Sequence, residues 1–290
     1  MQLTTEAIRS PALPSATVVL LRDGADGLEV FLLKRHGLSD VLGGAYVFPG
    51  GKVDAEDAEW ADRLDTAPAA LHAALGEPEL DGLQAAALYV AAIREVFEET
   101  GLLFAPVTPA QAQQAWAALR TGPRFSELLE PWGLVLQAGA LHPWSRWVTP
   151  QVGGVVRKRF DTRFFVAAVP PGQVPAHDQH EAVESLWLAP GRALTQYWEG
   201  GIELAPPQIM SLAHLARHRN VASVLEAARA RQPPCIRPEP FEQEGERVLC
   251  YPGDPRHSLR ERALPGPTRL HWRNDRFEPE GGLRVLLSDA

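Results

Sequence analysis

From Gln84 to Thr100 the chain runs without Gly or Pro and then meets Gly101, the pattern of a long helix closed at its C′ position. At about 3.6 residues per turn, Ala86, Tyr89, Val90, Ile93, Val96 and Phe97 share one side. Glu95, Glu98 and Glu99 share the other, flanked by the small Ala87 and Ala91. Such a helix must lay its apolar side on another layer while its last turn concentrates negative charge. Like charges at this spacing cost roughly 0.2–0.5 kcal/mol, and the helix dipole disfavours anions at the C-terminal end. Two unfavourable effects in one place point to a compensating cation. The donors are all carboxylate oxygens with no Cys or His nearby, which suits Mg²⁺ or Mn²⁺ rather than zinc. Taken alone, a Glu-rich helix end also reads as a solvated face.

Around this helix the pattern is mixed. Ala16–Arg22 and Leu28–Arg35 are apolar strands joined by Asp23-Gly24-Ala25-Asp26-Gly27. Tyr46-Val47-Phe48 is a third extended piece, stopped by Pro49-Gly50-Gly51. Residues 57–82 turn Ala-rich and polar, with Pro68 and Pro78 breaking one or two short helices. Arg159–Val169 and Ser185–Leu188 read as strands, Ile209–Arg231 as one helix, and Arg247–Tyr251, Arg269–Trp272 and Leu283–Leu287 as short strands. Strands and helices without strict alternation predict an α+β chain, or an α/β/α sandwich on a mixed sheet. The expected organisation is a tail over 1–15, a core domain over 16–232 and a C-terminal extension over 233–290.

Charge narrows the partners. In 290 residues, 36 acidic side chains outnumber 28 basic ones, a formal charge of −8, so a broad basic face for nucleic acid is not expected. The longest apolar run, Ala85–Ile93, falls short of the ~20 residues a membrane helix needs. Cys235 and Cys250 are too few for a disulfide framework. Met1–Ser10 carries Glu6 and no apolar stretch of a signal peptide, so a cytoplasmic location is expected.

The helix and its upstream glycines resemble the box of the Nudix hydrolases, G-x5-E-x7-R-E-U-x-E-E-x-G-U with U aliphatic. Arg94, Glu95, Val96, Glu98, Glu99, Gly101 and Leu102 fill its second half, and Gly51, preceded by Phe48-Pro49-Gly50, fits its opening. Asp57 stands where the box has Glu, and 36 residues separate it from Arg94, so residues 58–86 read as an insertion, with Ala58 to Leu83 expected as a surface excursion that leaves the box closed around it. A box split in this way resembles the coenzyme A diphosphatase branch of the mammalian peroxisomal type. Val148-Thr149-Pro150, Arg159–Phe165 and Pro206-Pro207-Gln208 also look like that branch. A bacterial coenzyme A hydrolase pattern is met at Leu32, Arg35, Gly44 and Phe48–Gly51, but not at Leu33, His36 and Asp40.

The resemblance implies a Nudix-type sandwich, a Mg²⁺ (or Mn²⁺) site on Glu95, Glu98 and Glu99, and a small-molecule diphosphate substrate bound by a monomer or homodimer. It gives Arg94 the task of holding a box carboxylate by an ion pair; an ordinary pair with Glu98 is also open. Gly50 and Gly51 would bring backbone close to the substrate, beside Arg35. Either Glu181 or Glu184 is a candidate general base, and each also reads as a solvated loop carboxylate. Arg157, Lys158, Arg159 and Arg163 offer cations for phosphate, including a 3′-phosphate on coenzyme A, or form a charged strand edge. Trp144 and Trp147 read as packing more readily than as a platform for adenine. Coenzyme A or its thioesters are the expected substrates. ADP-ribose, dinucleotides, nucleotide sugars and a non-catalytic ligand sensor are the alternatives.

Overall fold

The computed structural model describes residues 10–39, 42–151 and 158–288. Strands β1 (Leu13–Gly24) and β2 (Gly27–Arg35) form an antiparallel hairpin turned at Ala25-Asp26. Two short strands follow, β3 (Tyr46–Val47) on β2 and β4 (Gly50–Lys52) on β1. A 3-10 stretch (Ala55–Arg63), α1 (Pro68–Leu75) and the long α2 (Gly82–Thr100) come next, then α3 (Pro109–Leu119) and α4 (Phe125–Leu129). Strands β5 (His142–Val148), β6 (Phe160–Ala168) and β7 (Ala182–Leu188) return to the sheet. Helices α5 (Pro190–Trp198), α6 (Pro206–Leu215) and α7 (Val221–Arg229) follow. Strand β8 (Cys235–Ile236) ends the main sheet, whose order is β3-β2-β1-β6-β5-β8, with β4 on β1 and β7 on β2. β1 runs parallel to β6 and antiparallel to β2, so the sheet is mixed.

The apolar run in β1 is explained by burial on both faces. Ala16, Val18 and Leu20 pack with α2, whereas Val19 and Leu21 pack with α5, α6 and α7. The result is an α/β/α sandwich. Helix α2 is fixed at both ends: Asp81 accepts from the Gln84 N–H at its start, and Gly101 closes it in a left-handed conformation.

Four expectations are corrected. Residues 58–86 are no surface excursion, because Trp60, Ala61, Leu71 and Leu75 enter the core beneath α2. The helix read over Ile209–Arg231 is two, since Asn220 leaves helical geometry and caps α7 by accepting from the Ser223 N–H. Leu283–Leu287 is a short helix, α8, rather than a strand; Leu286 packs in the same core as α5 and α6. β1 begins at Leu13, inside the expected tail, because its first residues pair with Phe160, Asp161 and Thr162 of β6.

The C-terminal residues form an antiparallel sheet of β9 (Glu239–Gln243), β10 (Glu246–Cys250), β11 (Arg269–Arg273) and β12 (Arg276–Glu278). Leu249, Tyr251, Leu270 and Phe277 share the core of α5–α7, so this sheet is packed on the sandwich. Among the described residues no helix is long and apolar enough to cross a membrane.

Candidate active site

The turn between β3 and β4 brings backbone against the end of α2. The Gly50 N–H donates to Glu99 Oε2 at 3.0 Å. A Cβ on Gly50 would stand 2.3 Å from the Ala16 carbonyl oxygen and 2.6 Å from Thr17 Cα, so only glycine fits between β4 and β1. A Cβ on Gly51 would stand 2.4 Å from the Glu95 carboxylate, so the missing side chain is the space that carboxylate uses.

Arg94 ties the two halves of the split motif together. Its Nε and Nη2 donate to both oxygens of Asp57 at 2.7 and 2.9 Å, and Nη2 also donates to the Lys52 carbonyl at 2.9 Å. Nη1 donates to Glu95 at 2.8 Å and Glu98 at 3.3 Å. Asp57 is buried and also accepts from the Asp54 N–H, which closes the start of the 3-10 stretch. The insertion therefore leaves its two ends in direct contact, and the pair with Glu98 coexists with the pair to Asp57.

One guanidinium does not balance this charge. Burial would lower the Arg94 pKa, but Asp57, Glu95 and Glu98 outweigh it and hold the side chain protonated. Burial pushes Glu95 up to about 7; Arg94 opposes the rise, and the charges of Glu98 and Glu181 add to it. Burial likewise raises Glu98 against the pull of Arg94. Glu99 rises well above the carboxylate range through burial and the nearby Glu95, against the Gly50 N–H and Arg35. Three carboxylates are thus crowded where water solvates them poorly, Glu99 most of all. Among the described residues no group of His, Cys, Asp and Glu side chains stands ready as a metal cluster. Arg94 Nη1 occupies the Glu95 and Glu98 oxygens in this arrangement. The donor set, all oxygen and under-neutralised, nevertheless fits a hard divalent cation.

Glu95 opens into a cavity of about 820 Å³ that Gly50, Gly51, Arg35 and Glu181 also line. Arg35 Nη2 lies 3.7 Å from Glu181, and its buried Nε has no hydrogen-bond partner among the described residues. Glu184 is elsewhere: it accepts from the Tyr46 hydroxyl at 2.8 Å and pairs with Lys34. The basic run on β6 divides by strand alternation. Lys158, Phe160, Thr162 and Phe164 line the cavity. Arg163 points to the other side, buried in pairs with Glu77 at 2.5 Å and Asp161 at 3.2 Å, so the expectation of a phosphate contact there is corrected. Arg159 donates to the Thr149 and Ser10 carbonyls and does not line the cavity. Arg157 lies outside the described residues. Trp144 is buried against His214, and Trp147 is buried with one edge in the cavity wall. Sequence reasoning missed Lys52, Asp54, Thr162, Pro238 and Leu249 in the lining, and gave Gln208 no role beyond its place in a family-like segment. Parity along β6 was a usable signal for Thr162; the others meet the cavity through non-local packing.

A mixed sandwich with a glycine turn clasping a three-glutamate helix defines a Nudix fold. The solved structure of a Nudix hydrolase from Alicyclobacillus acidocaldarius is similar, with a TM-score of 0.59 and 28% identity over 78% of this chain and 98% of that one. The NUDT19 Nudix domain model matches residues 14–215, and the chain belongs to that family. It is 32% identical to the acyl-coenzyme A diphosphatase NUDT19 of Gallus gallus, covering 69% of this chain and 67% of that protein. It is 30% identical to the Homo sapiens protein of the same description, over 69% of this chain and 64% of that one. The chain therefore spans about two thirds of the length of these relatives.

Proposed function

We propose that this protein hydrolyses the diphosphate linkage of coenzyme A and acyl-coenzyme A, releasing a phosphopantetheine product and an adenosine bisphosphate. The observation that carries this reading is the cavity, which joins the unbalanced carboxylates of α2 to cations at one end and to an apolar wall. The similarity to acyl-coenzyme A diphosphatases supports the choice of substrate.

Glu95, Glu98 and Glu99 would hold a divalent cation, Mg²⁺ or Mn²⁺, which when bound neutralises the diphosphate and polarises a water molecule. The chain's own groups do the rest. Arg94 and the Gly50 N–H fix the carboxylates before substrate arrives, so little reorganisation is left for the reaction. Arg35, Lys52 and Lys158 face the cavity with positive charge and orient the phosphate oxygens. Glu181, an exposed carboxylate that lines the same cavity as Glu95, would accept the proton of the attacking water. The bridging oxygen then leaves with the second phosphate.

The test is a product-resolved screen of coenzyme A, acyl-coenzyme A, 3′-dephospho-coenzyme A, ADP-ribose, NADH and nucleotide sugars with Mg²⁺ or Mn²⁺. Coenzyme A or a thioester should give the highest kcat/KM. With Lys158 the described cation of the β6 run at the cavity, preference over the 3′-dephospho form should be about tenfold. Faster cleavage of ADP-ribose or a nucleotide sugar would move the substrate class. No cleavage with either metal would end the enzymatic reading.

A further inference from the structure

At the wall formed by the start of α6 and the C-terminal sheet, the cavity changes character. Pro206 and Pro207 occupy the first turn of α6 and carry no N–H, so this helix start lacks the donors with which a helix N-terminus usually receives an anion. The next residue, Gln208, lines the cavity yet is only 6% exposed. Its Oε1 is buried without a hydrogen-bond partner among the described residues. Around it the wall is apolar: Phe48, Trp147 and Phe164 from the sandwich, with Pro238 and Leu249 beyond the residues that the family model matches.

A buried amide left unpaired costs about 1–3 kcal/mol of stability, and here it faces the cavity that Glu95 also lines. We infer that Gln208 is the hydrogen-bonding group of a neutral subsite, which takes an uncharged planar group of the substrate carrying a donor beside an acceptor. The amide can present Nε2 or, turned about its last torsion, Oε1, so it matches either partner of such a group. Two parts of coenzyme A have this chemistry: the carboxamides of the pantetheine arm and the amino edge of adenine. The apolar wall dehydrates the contact, so the hydrogen bond discriminates against a group that cannot make it. This inference rests on the diphosphatase reading for the identity of the ligand, but it concerns binding and can be tested without turnover.

The experiment is calorimetric titration of the full chain with coenzyme A and with ADP-ribose, in EDTA to prevent hydrolysis. Wild type is compared with Gln208→Met, which keeps length and shape, and with Gln208→Ala as a second variant. Binding of coenzyme A should weaken about tenfold in either variant. The Tm of Gln208→Met should hold or rise, because an unpaired buried amide is exchanged for apolar atoms. Unchanged ADP-ribose binding assigns the pantetheine carboxamides, and a matching loss assigns adenine, which ADP-ribose shares. Unchanged coenzyme A binding in both variants would overturn the subsite, as would no measurable binding to wild type. A lowered Tm in Gln208→Met would also overturn it by showing a structural role. Wild-type turnover, measured separately with metal, decides the diphosphatase reading whatever these titrations give.

Discussion

Two buried clusters of charge lie on the α2 side of the sheet, and they are built differently. Between β5, β6 and the segment after α1, Arg146 and Arg163 meet Glu77 and Asp161 at 2.5–3.2 Å, and Arg146 also reaches Glu79. Cations and carboxylates interleave there, and each buried carboxylate has a guanidinium. At the end of α2, Arg94 alone serves Asp57, Glu95 and Glu98, while Glu99 has a backbone N–H. The first cluster is complete as folded and fastens the insertion to the sheet. The second is left with negative charge that the folded chain does not neutralise. Of the first cluster only Arg163 reads as a site residue in the sequence, and only the second cluster faces the cavity.

That contrast can be broken by mutation. Glu99→Gln should lower turnover by about 10³-fold at saturating Mg²⁺, a loss comparable to removing a main electrostatic group. Its metal-free Tm should match or exceed wild type, because a crowded buried charge is removed while the Gly50 N–H keeps an acceptor. Near-wild-type kcat would remove Glu99 from the metal site. Next, Glu181→Gln should reduce kcat about 10²-fold, as expected for loss of a general base. Glu184→Gln should keep wild-type kcat, because Glu184 is engaged by Tyr46 and Lys34 away from the cavity. Equal effects in the two variants would show that the cavity does not separate them.

On the balanced side the expectation reverses. Arg163→Met should cost about 3 kcal/mol in denaturant unfolding, since breaking a buried pair strands Glu77 on Arg146 alone. The kcat and KM of the folded fraction should stay within about twofold of wild type, the scatter expected when no substrate contact is lost. A raised KM with unchanged stability would return Arg163 to the substrate site.

How much of this was legible follows from the range of the interactions. Helix α2 and its glutamates could be read because periodicity, the terminal Gly101 and the motif are all local. The misread elements lack such signals. Leu283–Leu287 is a five-residue segment, four apolar residues and Arg284, too short for its period to separate strand from helix. Asn220 was an available cap signal within the stretch read as one helix. The insertion reads as an excursion from the split of the motif alone, yet Trp60 and Leu71 anchor it in the core through contacts no local pattern announces. Arg163 stands close to Arg159 and Lys158 in sequence, whereas strand alternation places it on the opposite face from Thr162 and Phe164, which line the cavity. Glu77, its partner 86 positions away, could not be inferred from any local pattern.

The claim that the carboxylates of α2 await a cation is tested most directly by Tm against pH, with and without Mg²⁺. Burial holds His142, His214 and His218 below 6.5 in the folded protein, so they add stability as pH rises to about 7.5, against the direction of the raised carboxyls. Comparison with Glu95→Gln, which keeps those histidines, removes their effect. Glu95, at about 7 when folded and 4.5 as its ordinary value, keeps a proton that the unfolded chain has already released. Its contribution to stability is therefore lost as pH rises from about 4.5 through about 7, and the raised Glu99 carboxyl acts in the same direction. The account predicts that the metal-free Tm of wild type falls relative to that of Glu95→Gln between about pH 5 and 7.5, and that millimolar Mg²⁺ raises the wild-type Tm more at about pH 8 than at about pH 6. A wild-type Tm that stays level with or rises against that of Glu95→Gln over this range, with no response to Mg²⁺, would contradict it.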